Sequence, residues 1–290
     1  MNLSSYALLA NTASFGYHWV YDPEYLKKIA QQESLLFTSP NINHYQKAKS
    51  AYFGYPFGKK GDVTTQGMML KWLFDATKQN PGFSSKDYAK LLYEKMQPGG
   101  EYIGYVETYT QKLILNMTID RLRLDIPKAE MTDDHLVGFV PYFVAKDLNL
   151  SNEWVWEQAQ LFTDKNEYVS LYQMFDSILQ LIPEYTLINA IKKSLKLAPE
   201  SMKAALVQAI EMSDTTDFIK SYAGIACSIP QSIPLILHLL AMEKDFISTL
   251  QINTELGGAS SERGMLLGAI LSKVYPVDTT LFNHLNVHVE

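Results

Sequence analysis

Apolar residues recur every three or four positions through most of this 290-residue chain, which is the spacing of amphipathic α-helices. No run of alternating apolar and polar residues predicts a half-buried strand, and no Asn-Gly pair predicts a tight hairpin. We therefore expect an all-α protein. The predicted helices are Met68–Gln79, Ser84–Gln97, Tyr102–Asn116, Asp133–Leu148, Asn152–Phe162, Tyr168–Ile182, Glu184–Leu197, Pro199–Met212, Ser232–Met242, Lys244–Asn253, Met265–Val274 and Asp278–Asn286.

One segment lacks this regularity. Leu36–Thr65 contains two prolines, three glycines and many tyrosine and phenylalanine residues. This composition predicts a long ordered loop or lid, and such loops often carry function. We refer to Leu36–Thr65 as the aromatic loop.

The composition indicates one large folded domain. The chain is 47% hydrophobic and 19% charged, so it can bury a substantial core. No Ser/Gly linker, composition break or repeat of fixed period divides it, and we expect a single domain over residues 1–290.

The charge distribution excludes several classes of partner. The net charge is −6 without any large Lys/Arg cluster, which argues against nucleic acid and anionic membranes and leaves a small-molecule ligand open. The longest apolar run, Ile233–Met242, is too short to span a bilayer, and the N-terminus lacks the basic region of a signal peptide. The single cysteine, Cys227, fits a reducing cytoplasm and is expected to be a buried, inert thiol.

Three segments combine carboxylates with hydroxyls or histidine, and each has a structural alternative. Asp62 and Thr64 at a predicted helix start can coordinate Mg²⁺ or orient a water, or simply cap the helix. Glu107 is a candidate general base or a solvated glutamate. The Asp133-Asp134-His135 triplet is typical of catalytic or metal sites, and equally of an acidic first helical turn.

Two further segments are rich in polar groups. His18–Pro23 carries Trp19 and Tyr21, which can stack on a planar ligand or form a half-buried helix end. Near the C-terminus, Gly257-Gly258 is followed by small hydroxyl residues and an apolar helix, which predicts an oxygen-rich pocket mouth. His238 is expected to be a core or interface histidine.

The order of these segments resembles the ADP-ribosylglycohydrolase family, in its crystallin-J1-like branch. Gly61–Gly67 resembles the family's Gly-Asp-x-Thr-x-x-Gly segment, and Gly257–Gly264 resembles its Gly-Gly-Asp-Thr-Asp-Thr motif. Four other segments match in the same order, namely Ala7–Asp22, Gly104–Thr110, Asp133–Gly138 and Cys227–Leu240. The resemblance implies a compact multi-helix fold whose cleft holds one or two Mg²⁺ ions, and hydrolysis of glycosidic bonds in ADP-ribosyl compounds.

The metal motifs of that family are altered in this chain. At the C-terminal motif, Ala259 and Ser261 stand at the two aspartates, while Ser260 and Glu262 stand at the two threonines. At the N-terminal motif, Asp62, Val63 and Thr64 stand at the two aspartates and the threonine in one register. A second register places Met68 at the aspartate and leaves no acid.

These substitutions argue against the family's usual chemistry. Mg²⁺ requires anionic oxygen ligands, and serine hydroxyls replace that charge poorly. No metal or other cofactor is therefore expected, with one weakly held Mg²⁺ on Asp62 and Glu262 as an open alternative.

We expect a divergent family member that lacks the Mg²⁺-dependent activity and binds an ADP-ribose-like or other small ligand. Its expected cleft comprises Asp62, Thr64, Glu107, Asp133, Asn253, Ser260, Ser261 and Glu262. One alternative is an active hydrolase with Asp62, Glu107 or Asp133 as catalytic residues, acting through a reduced Mg²⁺ site or a metal-free pair such as Glu107 with Asp133. The other is a structural or interaction protein.

Overall fold

The computed structural model describes residues 2–289, and helices dominate this part of the chain. The only β-type pairings within it are two isolated bridges, so the predicted all-α fold is confirmed. The α-helices are α1 Leu3–Ala13, α2 Pro23–Ala30, α3 Ile42–Lys47, α4 Thr65–Gln79, α5 Ser85–Met96, α6 Thr108–Leu122, α7 Val140–Leu148, α8 Asn152–Ala159, α9 Glu167–Leu181, α10 Leu187–Ser194, α11 Lys203–Glu211, α12 Thr215–Tyr222, α13 Ile229–Ala241, α14 Phe246–Leu256 and α15 Ser260–Leu271.

Helices α1 and α15 form the centre of the molecule. Every residue of α15 is buried, as are nine of the eleven residues of α1, which is the pattern of helices surrounded on all sides. These two helices pack on each other more extensively than any other pair in residues 2–289. Helices α4, α7, α13 and α14 pack around them.

The N-terminus of α1 is fixed by polar side chains. The Asn2 side chain accepts a hydrogen bond from Ser5 N at 2.8 Å. The Asp147 carboxylate at the end of α7 accepts from Leu3 N at 2.7 Å and Ser4 N at 2.8 Å. These bonds satisfy amides that a helix start leaves free, and the negative charge suits the helix dipole.

Several predicted boundaries are wrong for reasons of tertiary contact. The helix predicted from Tyr102 begins at Thr108, because the chain before it is extended and Tyr105 O accepts a hydrogen bond from Thr65 Oγ1. The α-helix predicted from Asp133 begins at Val140 after a 3₁₀ turn, since His135 instead forms a bridge with Ser228.

The last two predicted helices also differ from the structure. Helix α15 begins at Ser260 rather than Met265, so the small hydroxyl residues form its first turn. The helix predicted at Asp278–Asn286 is a 3₁₀ helix over Thr279–His284. Helix α1 was indicated only through the family resemblance of Ala7–Asp22, helices α2, α3 and α12 were not predicted, and α3 lies inside the aromatic loop.

Two small apolar clusters lie under the aromatic loop, beside the main core. One contains Tyr17, Val20, Leu26, Leu35 and Tyr45, and the other contains Phe15, Trp19 and Tyr55. The loop is therefore an ordered part of the fold. No helix within residues 2–289 is long and apolar enough to cross a membrane.

Candidate functional site

The turn between α14 and α15 is built from glycines. Gly258 has a φ of +67°, and a Cβ there would lie 1.9 Å from Ile225 O, so only glycine fits. Gly258 N donates to Val20 O at 2.7 Å, and Trp19 N donates to Gly258 O at 2.8 Å. The turn thus holds the segment after α1 against the start of α15.

Arg263, a buried residue of α15, anchors this turn from within. Its guanidinium donates to Asn253 Oδ1 at 3.1 Å, Ile225 O at 2.8 Å and Gly257 O at 2.5 Å. The Asn253 amide donates to Ser260 O at 2.8 Å. Burial lowers the pKa of Arg263 to about 10, which leaves it charged at neutral pH. Asn253 is therefore engaged in fixing the turn.

The two altered motifs meet through Asn11 of α1. Asn11 Oδ1 accepts from Thr64 N at 2.8 Å, and Asn11 Nδ2 donates to Thr64 Oγ1 at 2.9 Å and to Ser261 O at 3.3 Å. Two residues predicted for the site, Thr64 and Ser261, are thus brought together. Both side chains are fully buried.

A pair of buried carboxyl groups lies beside this junction. Glu107 immediately precedes α6, Glu262 lies in the first turn of α15, and the two residues are 3% and 1% exposed. Burial raises the pKa of Glu107 to about 7. Burial, followed by the charge of neighbouring Glu107, raises the pKa of Glu262 well above its usual range. The pair therefore retains a proton at neutral pH.

His18 faces Glu262 in a defined tautomer. Ser261 N donates to His18 Nδ1 at 3.2 Å, so in the neutral ring the proton is on Nε2. His18 Nε2 lies 3.9 Å from Glu262 Oε1. Burial and then the charge of Arg263 hold the pKa of His18 well below its usual range, which makes the ring neutral.

This group, which we call the buried carboxyl cluster, comprises His18, Glu107, Ser260, Ser261 and Glu262. Both serine hydroxyls and His18 Nε2 lack a hydrogen-bond partner within the described residues, whereas the side chains of Glu107 and Glu262 are hydrogen-bonded to each other through the retained proton. Buried polar atoms are nearly always paired in folded proteins. The cluster is therefore a polar interior that does more than pack the core.

Asp133 lies at the edge of the cluster, on the extended segment before α7. Its charge acts on both Glu107 and Glu262. Asp133 Oδ1 accepts from His135 N at 2.9 Å and lies 3.4 Å from His135 Nδ1. Burial raises the pKa of Asp133, which nearby His135 opposes. One ligand atom from each of Asp133, Asp134 and His135 lies within 4.8 Å of the other two, at partly buried positions.

Asp62 is placed apart from the other predicted site residues. Its carboxylate accepts from Lys59 N at 2.8 Å and from Asn286 Nδ2 at 3.0 Å. It makes no hydrogen bond or ion pair with Glu107 or Glu262 in the described structure. Asp62 instead lines a surface cleft.

This cleft, which we call the aromatic cleft, has a volume of about 230 Å³. Its lining includes five ring side chains, Phe15, Tyr55, Phe57, Trp72 and Tyr102, and two carboxylates, Asp62 and Glu101. The other lining residues are Val63, Met68, Val287, Pro56, Gly58 and Gly104, with Ile103 at the mouth. Phe57 and Ile103 are 74% and 79% exposed, which is unusual for residues of their size.

Two tyrosines connect the aromatic cleft with the buried carboxyl cluster. Tyr55 OH lies 3.1 Å and Tyr102 OH 2.9 Å from Thr65 Oγ1, and the charge of Glu107 acts on both phenols. Tyr55, Tyr102 and Thr65 therefore lie between the aromatic cleft and the buried carboxyl cluster.

Sequence reasoning did not single out Thr65 or the role of His18. Thr65 was predicted only as the last residue of the aromatic loop, and His18 only as the first residue of the stacking segment His18–Pro23. No local signal marks either role, because the partners of both residues lie on distant segments that only the fold brings near.

Comparison with known proteins supports the fold. Neither protein-family models nor curated protein sequences match this chain. A solved structure described as an "ADP-ribosylglycohydrolase-related protein complex" superposes with a TM-score of 0.59 at 13% identity, covering 98% of this chain and 91% of that chain. The chain therefore has the all-α fold of an ADP-ribosylglycohydrolase-related protein.

Proposed function

We propose that this protein binds a small molecule in the aromatic cleft and lacks the Mg²⁺-dependent hydrolysis of ADP-ribosyl compounds. The observation that carries the proposal is the cleft itself, a concave site with five ring side chains and an exposed apolar mouth. Sites of this kind are typical of ligand pockets. The ordered motifs further support placing the chain in the crystallin-J1-like branch of its fold family.

The chemistry of the buried carboxyl cluster does not fit a magnesium site. Mg²⁺ binds ionised carboxylates and keeps several waters. Here Ala259 offers no ligand atom, Ser260 and Ser261 are neutral, and burial raises the pKa of Glu262 well above its usual range, which disfavours the ionised form that Mg²⁺ binds. Asp62, the remaining acid of the motifs, points to the aromatic cleft. We therefore derive no step through a metal ion.

Ligand titrations test this proposal. We expect calorimetry to detect binding of a small planar compound such as quinoline, equally with Mg²⁺ present or chelated, and no turnover of ADP-ribosyl-arginine. ADP-ribose belongs in the same titration because the fold resemblance implies an ADP-ribose-like ligand. A tight Mg²⁺-dependent response to ADP-ribose would contradict the proposal, as would the absence of binding by every planar probe.

A matched pair of exposed isoleucines provides the control. Ile103→Ser removes apolar surface at the cleft mouth, and we expect it to weaken binding by about three- to tenfold. Ile126→Ser makes the same change at a position outside the cleft that is 52% exposed. Equal effects of the two variants on affinity would locate the ligand elsewhere.

A metal-free hydrolase is the second candidate, and the raised pKa of Glu107 favours it. A carboxyl group with a pKa of about 7 can serve as a general acid at neutral pH. Its structural partner is Glu262, with Asp133 acting on both by its charge. Both glutamates are buried and neither lines the aromatic cleft, however, which favours ligand binding over turnover. Hydrolysis that Glu107→Gln abolishes would reverse this preference.

A further inference from the structure

We propose that the aromatic cleft selects a small planar cation over anionic ligands such as ADP-ribose. This inference rests on the proposed small-molecule function and adds the charge and size of the ligand. Three features of the cleft support it: the sign of its charged groups, the faces of its rings and its volume.

The charged residues of the cleft lining are both acidic. Asp62 and Glu101 line the cleft, and no lysine, arginine or histidine does so in residues 2–289. Lys59 and Lys60 precede Asp62, but they are exposed and not part of the lining. A diphosphate placed here would meet carboxylates without the guanidinium or ammonium groups that usually bind it.

Glu101 already has a cationic partner, which leaves Asp62 as the unbalanced charge. Lys95 Nζ lies 2.6 Å from Glu101 Oε1. The carboxylate of Asp62, by contrast, is hydrogen-bonded only by neutral donors, Lys59 N and Asn286 Nδ2, within the described structure. The cleft thus has one negative charge available to attract a cationic ligand.

The rings of the cleft add an attraction of the same sign. Lys95 Nζ lies 5.9 Å from the centroid of the Trp72 ring, so this ring already attracts one cation. Phe57 and Tyr102 supply further rings, while Phe15 and Tyr55 form part of the cleft wall from buried positions. Aromatic faces attract cations through the ring quadrupole, and they stack on planar groups. Together with Asp62, they favour a delocalised cation over a neutral ring.

The volume limits the ligand to about one fused ring system. Pockets for drug-sized molecules occupy roughly 300–1,000 Å³, and the aromatic cleft, at about 230 Å³, lies below that range. A dinucleotide-sized molecule such as ADP-ribose would extend far outside it. A single planar cation would also cover the exposed Phe57 and Ile103.

Calorimetry with three probes of similar shape tests the charge preference. The probes are 1-methylquinolinium, quinoline and 1-naphthalenesulfonate, which are cationic, neutral and anionic at pH 7.5. We expect the cation to bind about five- to tenfold more tightly than quinoline, and the sulfonate to bind most weakly. ADP-ribose serves as a second anionic probe.

A single substitution tests the role of Asp62. Asp62→Asn removes the charge while preserving the shape, and we expect it to weaken 1-methylquinolinium binding about fivefold and leave quinoline binding unchanged. Asp125→Asn, at an exposed acid outside the cleft lining, is the matched control and should affect neither probe.

The outcomes separate this inference from the function on which it rests. Equal or tighter binding of quinoline or of ADP-ribose would overturn the charge preference and leave small-molecule binding in place. An unchanged cation affinity in Asp62→Asn would overturn the role of Asp62. If no planar probe binds the folded protein, the proposed function and the inference both fail.

Discussion

At the residue scale, the burial of Glu107 and Glu262 makes the free energy of unfolding depend on pH. Burial raises the pKa of Glu107 from 4.5 to about 7 and raises the pKa of Glu262 well above its usual range. Between pH 4.5 and 7 the folded state therefore binds more protons than the unfolded chain. The free energy of unfolding that these two groups contribute must then fall as the pH rises through this window.

The double variant Glu107→Gln/Glu262→Gln should remove this pH dependence. Between pH 5 and pH 8 we expect the free energy of unfolding of this variant to increase relative to that of the wild type by at least about 2–3 kcal/mol, the amount that Glu107 alone contributes at about 1.36 kcal/mol per pKa unit. Urea unfolding at the two pH values measures the difference. Glu184→Gln, at an exposed glutamate, should follow the wild type. A gain that is the same at both pH values would contradict the raised pKa values.

The sequence predicts the members of this cluster better than their arrangement. Glu107 and Glu262 were both among the predicted site residues. Glu107 is followed by hydroxyl residues, and Glu262 follows the Gly257-Gly258 turn and its serines. Their pairing depends on the segment before α6 lying near the first turn of α15, and no local pattern encodes that arrangement. Asp62 was also predicted as a cleft residue, and it lines the aromatic cleft rather than the buried carboxyl cluster.

At the element scale, α1 and α15 pack closely because α15 has glycine where it crosses α1. A Cβ on Gly268 would lie 2.4 Å from Ala10 Cβ and 2.6 Å from Tyr6 O. Neither a methyl group nor backbone in the centre of the core can move away at little cost. The close approach of these two helices therefore requires glycine.

Gly268→Ala should consequently destabilise the protein. The clash with Tyr6 O and Ala10 Cβ places the overpacking cost near the upper end of about 1–3 kcal/mol, so after the roughly 1 kcal/mol that alanine gains over glycine in a helix we expect a net loss of about 1–2 kcal/mol. Gly82→Ala is the control, because the nearest atom to a Cβ there is Asn80 Oδ1 at 3.5 Å. Chemical denaturation measures both changes. A Gly268→Ala variant as stable as the wild type would show that α1 and α15 can separate at little cost.

Long helices were predictable from sequence, whereas short helices were not. The predictions for α4, α5 and α9 agree with the structure to within a few residues, and Ser84 and Asp87 form a capping box at the start of α5. Helices α2 and α12 have eight residues each and bury one side chain each. Each spans only about two turns, which is too short to stand out as a periodic run in the sequence, and tertiary contacts decide their formation.

At the scale of the whole molecule, segments from both ends of the chain build the same centre. Helix α1 at the N-terminal end packs on α15 near the C-terminal end. The buried carboxyl cluster combines His18 and Glu107 with Glu262. Neither end of the chain would therefore have a core of its own. The packing of α1 on α15 is what a single domain over residues 1–290 requires, and this expectation remains a prediction.

The protein should accordingly unfold in one cooperative transition. Chains of this length often populate folding intermediates. The number of unfolding transitions therefore distinguishes one folding unit from two. We expect far-UV circular dichroism and tryptophan fluorescence to change together on heating, and the calorimetric and van't Hoff enthalpies to agree. Gly268→Ala should lower the midpoint of that transition without splitting it, because the α1–α15 contact lies at the centre of the molecule. Two resolved transitions in the wild type would instead mean that parts of the chain fold independently of this contact.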